Sequence, residues 1–198
     1  MAAAAHDAGH QTSLGVDNRK LLMWIFLASE CLFFGTLIST YLIFKGQSLV
    51  GPFPGDILDI PLTSTSTFVL LMSSVTMVLA VYGAQHGRLG LMRGMLVATI
   101  LLGTTFLGFQ VYEFRHFGHV GLNLGTNQFG ATFFLMTGFH GVHVGVGVLY
   151  LTSLLLGSMR RSGLGKERAL WVDTAGLYWH FVDVVWIVIF TIVYLIPE

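Results

Sequence analysis

Residues 21–44 read LLMWIFLASECLFFGTLISTYLIF, an apolar run interrupted by a single charged residue, Glu30. A helix needs about 20 apolar residues to cross the hydrocarbon core of a bilayer, so this run is long enough to span it. Four further apolar runs follow, and the predicted spans cover about residues 21–44, 65–84, 91–112, 129–156 and 171–196. The alternating pattern of a membrane β-barrel is missing from the sequence. We therefore predict an all-α membrane protein, a bundle of five transmembrane helices.

The composition of the whole chain supports a membrane protein. Of its 198 residues 54% are hydrophobic and 10% are charged, whereas soluble domains carry about 25% charged residues. These values exclude a soluble globular domain and a disordered chain. The net charge of +0 provides no basic field for nucleic acid. The single cysteine, Cys31, excludes a disulfide framework, an iron–sulfur cluster and a cysteine-based zinc site.

The segments outside the apolar runs define the domain organisation. Residues 1–20 are small or polar and lack the apolar core and basic start of a secretory signal, so we expect a flexible tail in solvent. Residues 21–198 form a single five-helix domain. Its loops are marked by Gly and Pro at 51–56 and by Gly and basic residues at 160–168.

The distribution of basic residues predicts the orientation in the membrane. Cytoplasmic loops of membrane proteins are enriched in Lys and Arg. Eight of the ten Lys and Arg residues lie in the tail, the loop between spans two and three, and the loop between spans four and five. The remaining two, Lys45 and Arg115, lie on the other side. The N-terminus is therefore predicted to be cytoplasmic and the C-terminus outside.

Five polar side chains fall near the centre of the predicted bilayer. They are Glu30, His140, His143, His180 and Asp183. A charged Asp at a helix centre costs about 2.5–3.5 kcal/mol, so each of these groups needs a partner or a role. His180 and Asp183 are three residues apart and share one helical face. We expect Asp183 to pair with His180 or with a partner subunit.

The sequence leaves two readings open for these central groups. Glu30 is either a proton-handling carboxylate or a neutral side chain hydrogen-bonded to a neighbouring helix. The histidines are either metal or haem ligands or, as the residues favour, interhelical hydrogen-bonding groups. Gln110 and Glu113 fall at the outer end of the third span, where we expect water to reach them.

The fourth span carries two special faces. Gly138, Gly141 and Gly145 form one stripe that allows close helix packing. His140 and His143 lie on another face. A helix with packing demands on both sides is predicted to be central in the bundle.

Five motifs resemble subunit III of the haem-copper respiratory oxidases, which are cytochrome c oxidases and quinol oxidases. The motifs are SECLFF at 29–34, QVYE at 110–113, FGATFF at 129–134, TGFHGVH at 137–143 and YWHFVDVVW at 178–186. The resemblance covers roughly residues 20–198. It implies that Glu30, Gln110, Glu113, the three central histidines and Asp183 are packing and hydrogen-bonding positions and not ligands.

The resemblance implies a function at the level of a complex. The chain would be a non-catalytic subunit of a proton-pumping oxidase that reduces O2 to water, supporting proton uptake and sustained turnover. It would pack mainly against subunit I, with subunit II, other oxidase subunits and membrane lipids also in contact. The chain would carry no haem, copper or other metal, because these cofactors belong to the partner catalytic subunits.

The number of helices narrows this expectation. The mitochondrial form of subunit III has seven helices, and this chain resembles the last five, a form found in bacteria. A multi-pass protein of the bacterial plasma (inner) membrane is therefore expected. Binding of phospholipid by this chain stays open, because the family's lipid cleft uses the two helices that the chain lacks.

Other functions remain as alternatives. An accessory subunit of a nitric-oxide reductase system shares the five-helix pattern, and a haem-b electron carrier would use the central histidines. An intramembrane hydrolase of the rhomboid kind is excluded, because no Gly-x-Ser-Gly site occurs. The sequence leaves the electron donor, cytochrome c or quinol, and the oxidase type open.

Overall fold

The computed structural model describes residues 17–48, 51–52, 57–160 and 166–196. Its helices there are α1 (Asn18–Phe44), α2 (Ile60–Gln85), α3 (Leu89–His119), α4 (Gln128–Arg160) and α5 (Lys166–Phe190), and α5 continues into a π-helical turn, Thr191–Leu195. Five helices in this described part are long and apolar enough to cross a membrane, which confirms the predicted all-α fold. Most of the predicted tail (1–16) and parts of both predicted loops (53–56 and 161–165) lie outside the described residues.

Helices α1 and α2 begin earlier than the apolar runs indicate, because an aspartate caps each of them. The side chain of Asp17 accepts a hydrogen bond from the backbone N–H of Arg19 at 2.9 Å. The side chain of Asp59 accepts one from the backbone N–H of Leu62 at 3.0 Å, and Pro61 lies in the first turn of α2. Such caps satisfy N–H groups that have no partner inside the helix, so the helix can start in polar sequence.

Helix α3 ends at a glycine instead of at the end of its apolar run. Gly121 has φ +89°, a left-handed conformation that suits a residue without a side chain. The N–H of Leu122 donates to the carbonyl oxygen of Phe117 at 2.9 Å, and the N–H of Gly121 donates to that of Gly118 at 3.2 Å. This terminating pattern carries α3 seven residues beyond the predicted end of the span at 112.

Contacts at both ends of the bundle show that α1 and α5 run parallel. At the end where α1, α3 and α5 begin, which we call the amino end, Lys20 Nζ lies 2.8 Å from Asp173 Oδ2. At the opposite, carboxyl end, Lys45 Nζ donates to the carbonyl oxygen of Ile196 at 2.7 Å. Each loop begins and ends at the same end of the bundle, so helices that follow each other in the sequence run in opposite directions.

Helix α5, and not α4 as expected, is the centre of the bundle. In the most apolar stretch of α5 50% of the residues are buried, compared with 22% in α4 and 11% in α1. Helix α5 packs against α1, α2 and α4. The indoles of Trp179 and Trp186 are almost completely buried and fill the interior. The two-faced pattern of α4 misled the prediction because glycine stripes report close approach of helices and not burial.

Candidate functional site

A carboxylate and an imidazole meet on the outer side of the bundle, between α1 and α4. Glu30 Oε2 lies 3.1 Å from Nε2 of His143, and both side chains keep 16–17% of their surface exposed. We call these two residues the outer site. Both lie near the midpoints of their helices, which places the outer site close to the centre of the bilayer.

The hydrogen bonds of His143 define where its protons are. Nδ1 of His143 lies 2.7 Å from the carbonyl oxygen of Phe139, and a carbonyl oxygen only accepts, so Nδ1 carries a hydrogen. Nε2 then either accepts a hydrogen from a neutral Glu30 or, as imidazolium, donates one to a carboxylate. The contact is therefore suited to sharing one proton between the two side chains.

A groove of about 440 Å³ opens beside the outer site. It is lined by residues of α1, α4 and α5: Met23, Phe26, Glu30, Val142, His143, Val146, Tyr150 and Tyr178. The hydroxyl of Tyr178 donates to the carbonyl oxygen of His143 at 2.9 Å, which ties α5 to the same turn of α4. The groove gives the shared proton access to the outside of the bundle.

A second group of polar side chains lies between α2 and α5, and we call its three members, Ser74, His180 and Asp183, the inner site. Nδ1 of His180 lies 2.7 Å from the hydroxyl oxygen of Ser74. Within the described chain Asp183 does not bond to His180, so the first of the two expected pairings of Asp183 is not found, while pairing with a partner subunit stays a prediction. Residues three apart on a helix share a face, but here a hydroxyl on α2 reaches the imidazole.

Asp183 and His140 are buried in the interior, and the described residues offer neither of them a hydrogen-bond partner within bonding distance and angle. Asp183 is 3% exposed and His140 is 0% exposed. The ring of His140 stacks on Trp186, with 4.8 Å between the ring centroids. A buried polar group without a partner costs about 1–3 kcal/mol, so this arrangement requires an explanation.

Gln110 and Glu113 lie inside the bundle, and the expectation that water reaches them is not met in the described chain. They are 7% and 6% exposed. Gln110 Nε2 donates to the carbonyl oxygen of Thr137 at 2.6 Å, and the hydroxyl of Thr63 donates to Glu113. The sequence correctly placed Gln110 and Glu113 towards the carboxyl end of α3. Their side chains, however, point towards α2 and α4 and not to the outside of the bundle.

The three glycines of the α4 stripe have different surroundings. A Cβ at Gly141 would lie 2.5 Å from Oε1 of Gln110, so this position requires glycine. A Cβ at Gly138 would lie 4.0 Å from Phe114, and one at Gly145 would meet no atom within 4 Å. A further glycine on α4, Gly147, lies against the buried indole of Trp179.

Sequence reasoning missed the hydroxyl partners of these groups. Ser74 falls inside the predicted second span and Thr63 just before it, and the sequence indicated a role for neither. Ser73 accepts a hydrogen bond from the indole N–H of Trp179, and Thr67 accepts one from that of Trp186, both at 2.9 Å. The signal for these contacts is weak, since it amounts to hydroxyl residues recurring along one face of α2.

Among the described residues, no group of three or more His, Cys, Asp or Glu side chains could hold a metal ion. The three central histidines lie in three different places: His143 in the outer site, His180 in the inner site and His140 in the interior. His143 bonds to Glu30 and His180 to Ser74, while His140 stacks on an indole. The arrangement of these side chains is that of hydrogen-bonding and packing groups.

Comparisons with known proteins identify the family to which the sequence is similar. A model of the family "Cytochrome c oxidase subunit III" matches residues 1–197. A Staphylococcus saprophyticus protein named "Probable quinol oxidase subunit 3" is 40% identical over 195 residues, which are 97% of this chain and 96% of the relative. A protein of the same name from Staphylococcus aureus is 40% identical over 181 residues, covering 91% of this chain and 90% of the relative.

Proposed function

The chain belongs to the cytochrome c oxidase subunit III family and is a non-catalytic subunit of a haem-copper terminal oxidase, and on this premise we propose that it stabilises catalytic subunit I and supports proton uptake there. The two alternatives, a nitric-oxide reductase accessory subunit and a haem-b carrier, are not favoured by these similarities. The haem and copper of the complex belong to the partner subunits.

The observation that carries this proposal is the contact between Glu30 and His143 in the outer site. Glu30 and His143 lie 3.1 Å apart at mid-depth, beside a groove that opens out of the bundle. A proton held there needs no metal and no movement of a helix to exchange with its surroundings. We propose that the outer site keeps a hydrated, protonatable patch beside the proton-uptake route of the catalytic subunit.

The test is a Glu30→Gln variant of the complex, purified through a tag on this chain. We expect normal assembly and a normal initial rate of O2 reduction, followed by faster loss of activity during prolonged turnover, because the amide cannot exchange a proton. Cys31→Ser is the matched control, since Cys31 is the exposed neighbour of Glu30 and does not line the groove. Unchanged turnover of Glu30→Gln through prolonged cycling would remove this role from the outer site.

The electron donor of the complex is proposed to be a quinol. Two relatives that match nearly the whole chain are named as quinol oxidase subunits. The complex purified through this chain should oxidise a quinol analogue and fail to oxidise reduced cytochrome c. Identification of the co-purifying large subunit and its haem types by mass spectrometry and optical spectra would test subunit I as the partner.

The cellular setting is proposed to be the plasma membrane of a bacterium, with the amino end of the bundle facing the cytoplasm. The chain is a multi-pass membrane protein, and its similar relatives are bacterial. Arg19, Lys20, Arg88 and Arg93 lie at the amino end, in agreement with the positive-inside rule. A periplasmic-active phosphatase fused to the C-terminus should be active, and an inactive fusion would contradict this orientation.

A further inference from the structure

The inner site forms a polar connection that the proposed function does not use. It lies between α2 and α5, whereas the outer site lies between α1 and α4. Its three side chains occupy one region near the middle of the bundle: His180 and Asp183 share a face of α5, and Ser74 of α2 is within 2.7 Å of His180.

A groove leads from the amino end of the bundle to His180. Its volume is about 270 Å³, and its lining includes Tyr82, Gln85, Asp173, Gly176 and His180. Asp173, at the mouth, is paired with Lys20 at 2.8 Å. Since α2 ends and α5 begins at the amino end, the groove runs from that end into the membrane-spanning part and stops at the imidazole.

The imidazole of His180 lines the groove, and its Nδ1 lies 2.7 Å from the hydroxyl oxygen of Ser74. One ring nitrogen is thus engaged with Ser74, and the other remains for water in the groove. A histidine ring in this position is suited to passing a proton from one nitrogen to the other side of the ring.

Asp183 lies beyond this connection and is the group that could receive the proton. It is 3% exposed, and within the described residues neither of its carboxylate oxygens meets the distance and angle of a hydrogen bond. The hydroxyl of Ser74 lies near the carboxylate, and its oxygen can accept a hydrogen from neutral Asp183 while the hydroxyl donates to Nδ1 of His180. An ionised carboxylate is costly in the apolar interior, which favours the neutral acid at this position.

We propose that Asp183 is a proton-holding acid that exchanges protons with the amino end of the bundle through Ser74 and His180. The proposal concerns a different pair of helices from the outer site and does not depend on the role of Glu30.

The proton movement balances as an exchange between neutral Asp183 and water in the groove. In the outward step Asp183 gives its proton to the Ser74 oxygen, the hydroxyl proton of Ser74 passes to Nδ1 of His180, and the proton on Nε2 passes to water in the groove. In the inward step water returns a proton to Nε2, the Nδ1 proton passes to the Ser74 oxygen, and the hydroxyl proton of Ser74 passes to the carboxylate of Asp183. Every group then carries the hydrogens with which it began.

Infrared spectroscopy of the oxidase complex purified through this chain tests the proposal. The wild-type complex should show a carboxylic-acid C=O band that is lost in Asp183→Asn and retained in Glu113→Gln. After transfer into D2O, exchange of this band should be about tenfold slower in Ser74→Ala, the effect of losing one relay hydrogen bond of about 1.4 kcal/mol. Thr76→Val is the matched control. Thr76 lies on the same part of α2 as Ser74, but its hydroxyl bonds to Thr99 of α3 and it stands outside the relay.

Two results would overturn the proposal. One is a full set of carboxylic-acid bands in an assembled Asp183→Asn complex. The other is exchange in Ser74→Ala as fast as in the wild type for every such band. Because the second measurement leaves Asp183 in place, it decides the question even where Asp183→Asn does not assemble.

Discussion

The outer and inner sites lie at similar depth in the bilayer, yet they satisfy their polar groups in opposite ways. In the outer site the carboxylate of Glu30 and the imidazole of His143 bond directly to each other and remain partly exposed. In the inner site the imidazole of His180 bonds to a hydroxyl, and the carboxylate of Asp183 is buried without a partner. Depth along a helix therefore does not determine how a charged side chain is neutralised. The neighbouring helices determine it.

The largest difference between the two regions is expected from removing an indole. Trp179, next to His180, is 1% exposed and packs so closely that a Cβ at Gly103 would lie 2.6 Å from its ring. Trp179→Ala should lower the free energy of unfolding by about 3–5 kcal/mol, through the cavity and the lost bond to Ser73. Trp24→Ala on α1, where the indole is 53% exposed, is the control and should change it little. Unfolding titrations in mixed micelles measure both, and equal losses would contradict the contrast between a packed inner region and an open outer one.

A smaller effect is expected from adding one methyl group to α4. Gly141→Ala places a Cβ against Gln110, whose amide is held by its bond to the carbonyl oxygen of Thr137 and cannot move freely. We expect a loss of about 1–3 kcal/mol, as for overpacking in other interiors. Gly145→Ala, one turn further along α4 in open space, should be neutral. The same titration compares the two variants, and a neutral Gly141→Ala would show that the interior on this side of α4 is loosely packed.

The smallest effect is expected from the pairing within the outer site. A double-mutant cycle of Glu30→Gln and His143→Gln should give a coupling energy of about 1 kcal/mol, because the two side chains bond directly. The corresponding cycle of Asp183→Asn and His180→Gln in the inner site should give a smaller value, since the carboxylate of Asp183 does not bond directly to the imidazole in the described chain. A larger coupling in the second cycle would reverse the comparison between the paired and the unpaired site.

The sequence was sufficient for the number and type of the helices but not for their ends. Hydropathy detects where lipid-facing residues stop, and the aspartate caps and the Gly121 terminus extend the helices into polar sequence. The predicted start of the second span at 65 misses the true start at Ile60, because hydropathy does not show that Asp59 caps the helix and that Pro61 fits its first turn.

The candidate site was predictable in its members but not in its contacts. Glu30, His143, His180 and Asp183 stand out because a charged or titratable residue is rare in an apolar run. Their partners depend on helix rotation and pairing, which one sequence does not encode locally. A serine on α2, and not the nearby Asp183, therefore bonds to His180.

The position of α1 has a consequence for biosynthesis. This helix leaves the ribosome first, but it packs mainly against α4 and α5, which are made last. Glu30 and its partner are separated by 113 residues, which corresponds to roughly 6–23 s of translation at about 5–20 residues per second. During that interval α1 has to wait in the lipid with its acidic group unmatched. An insertase or a subunit synthesised earlier would be most useful at that moment, before the bundle can close around it.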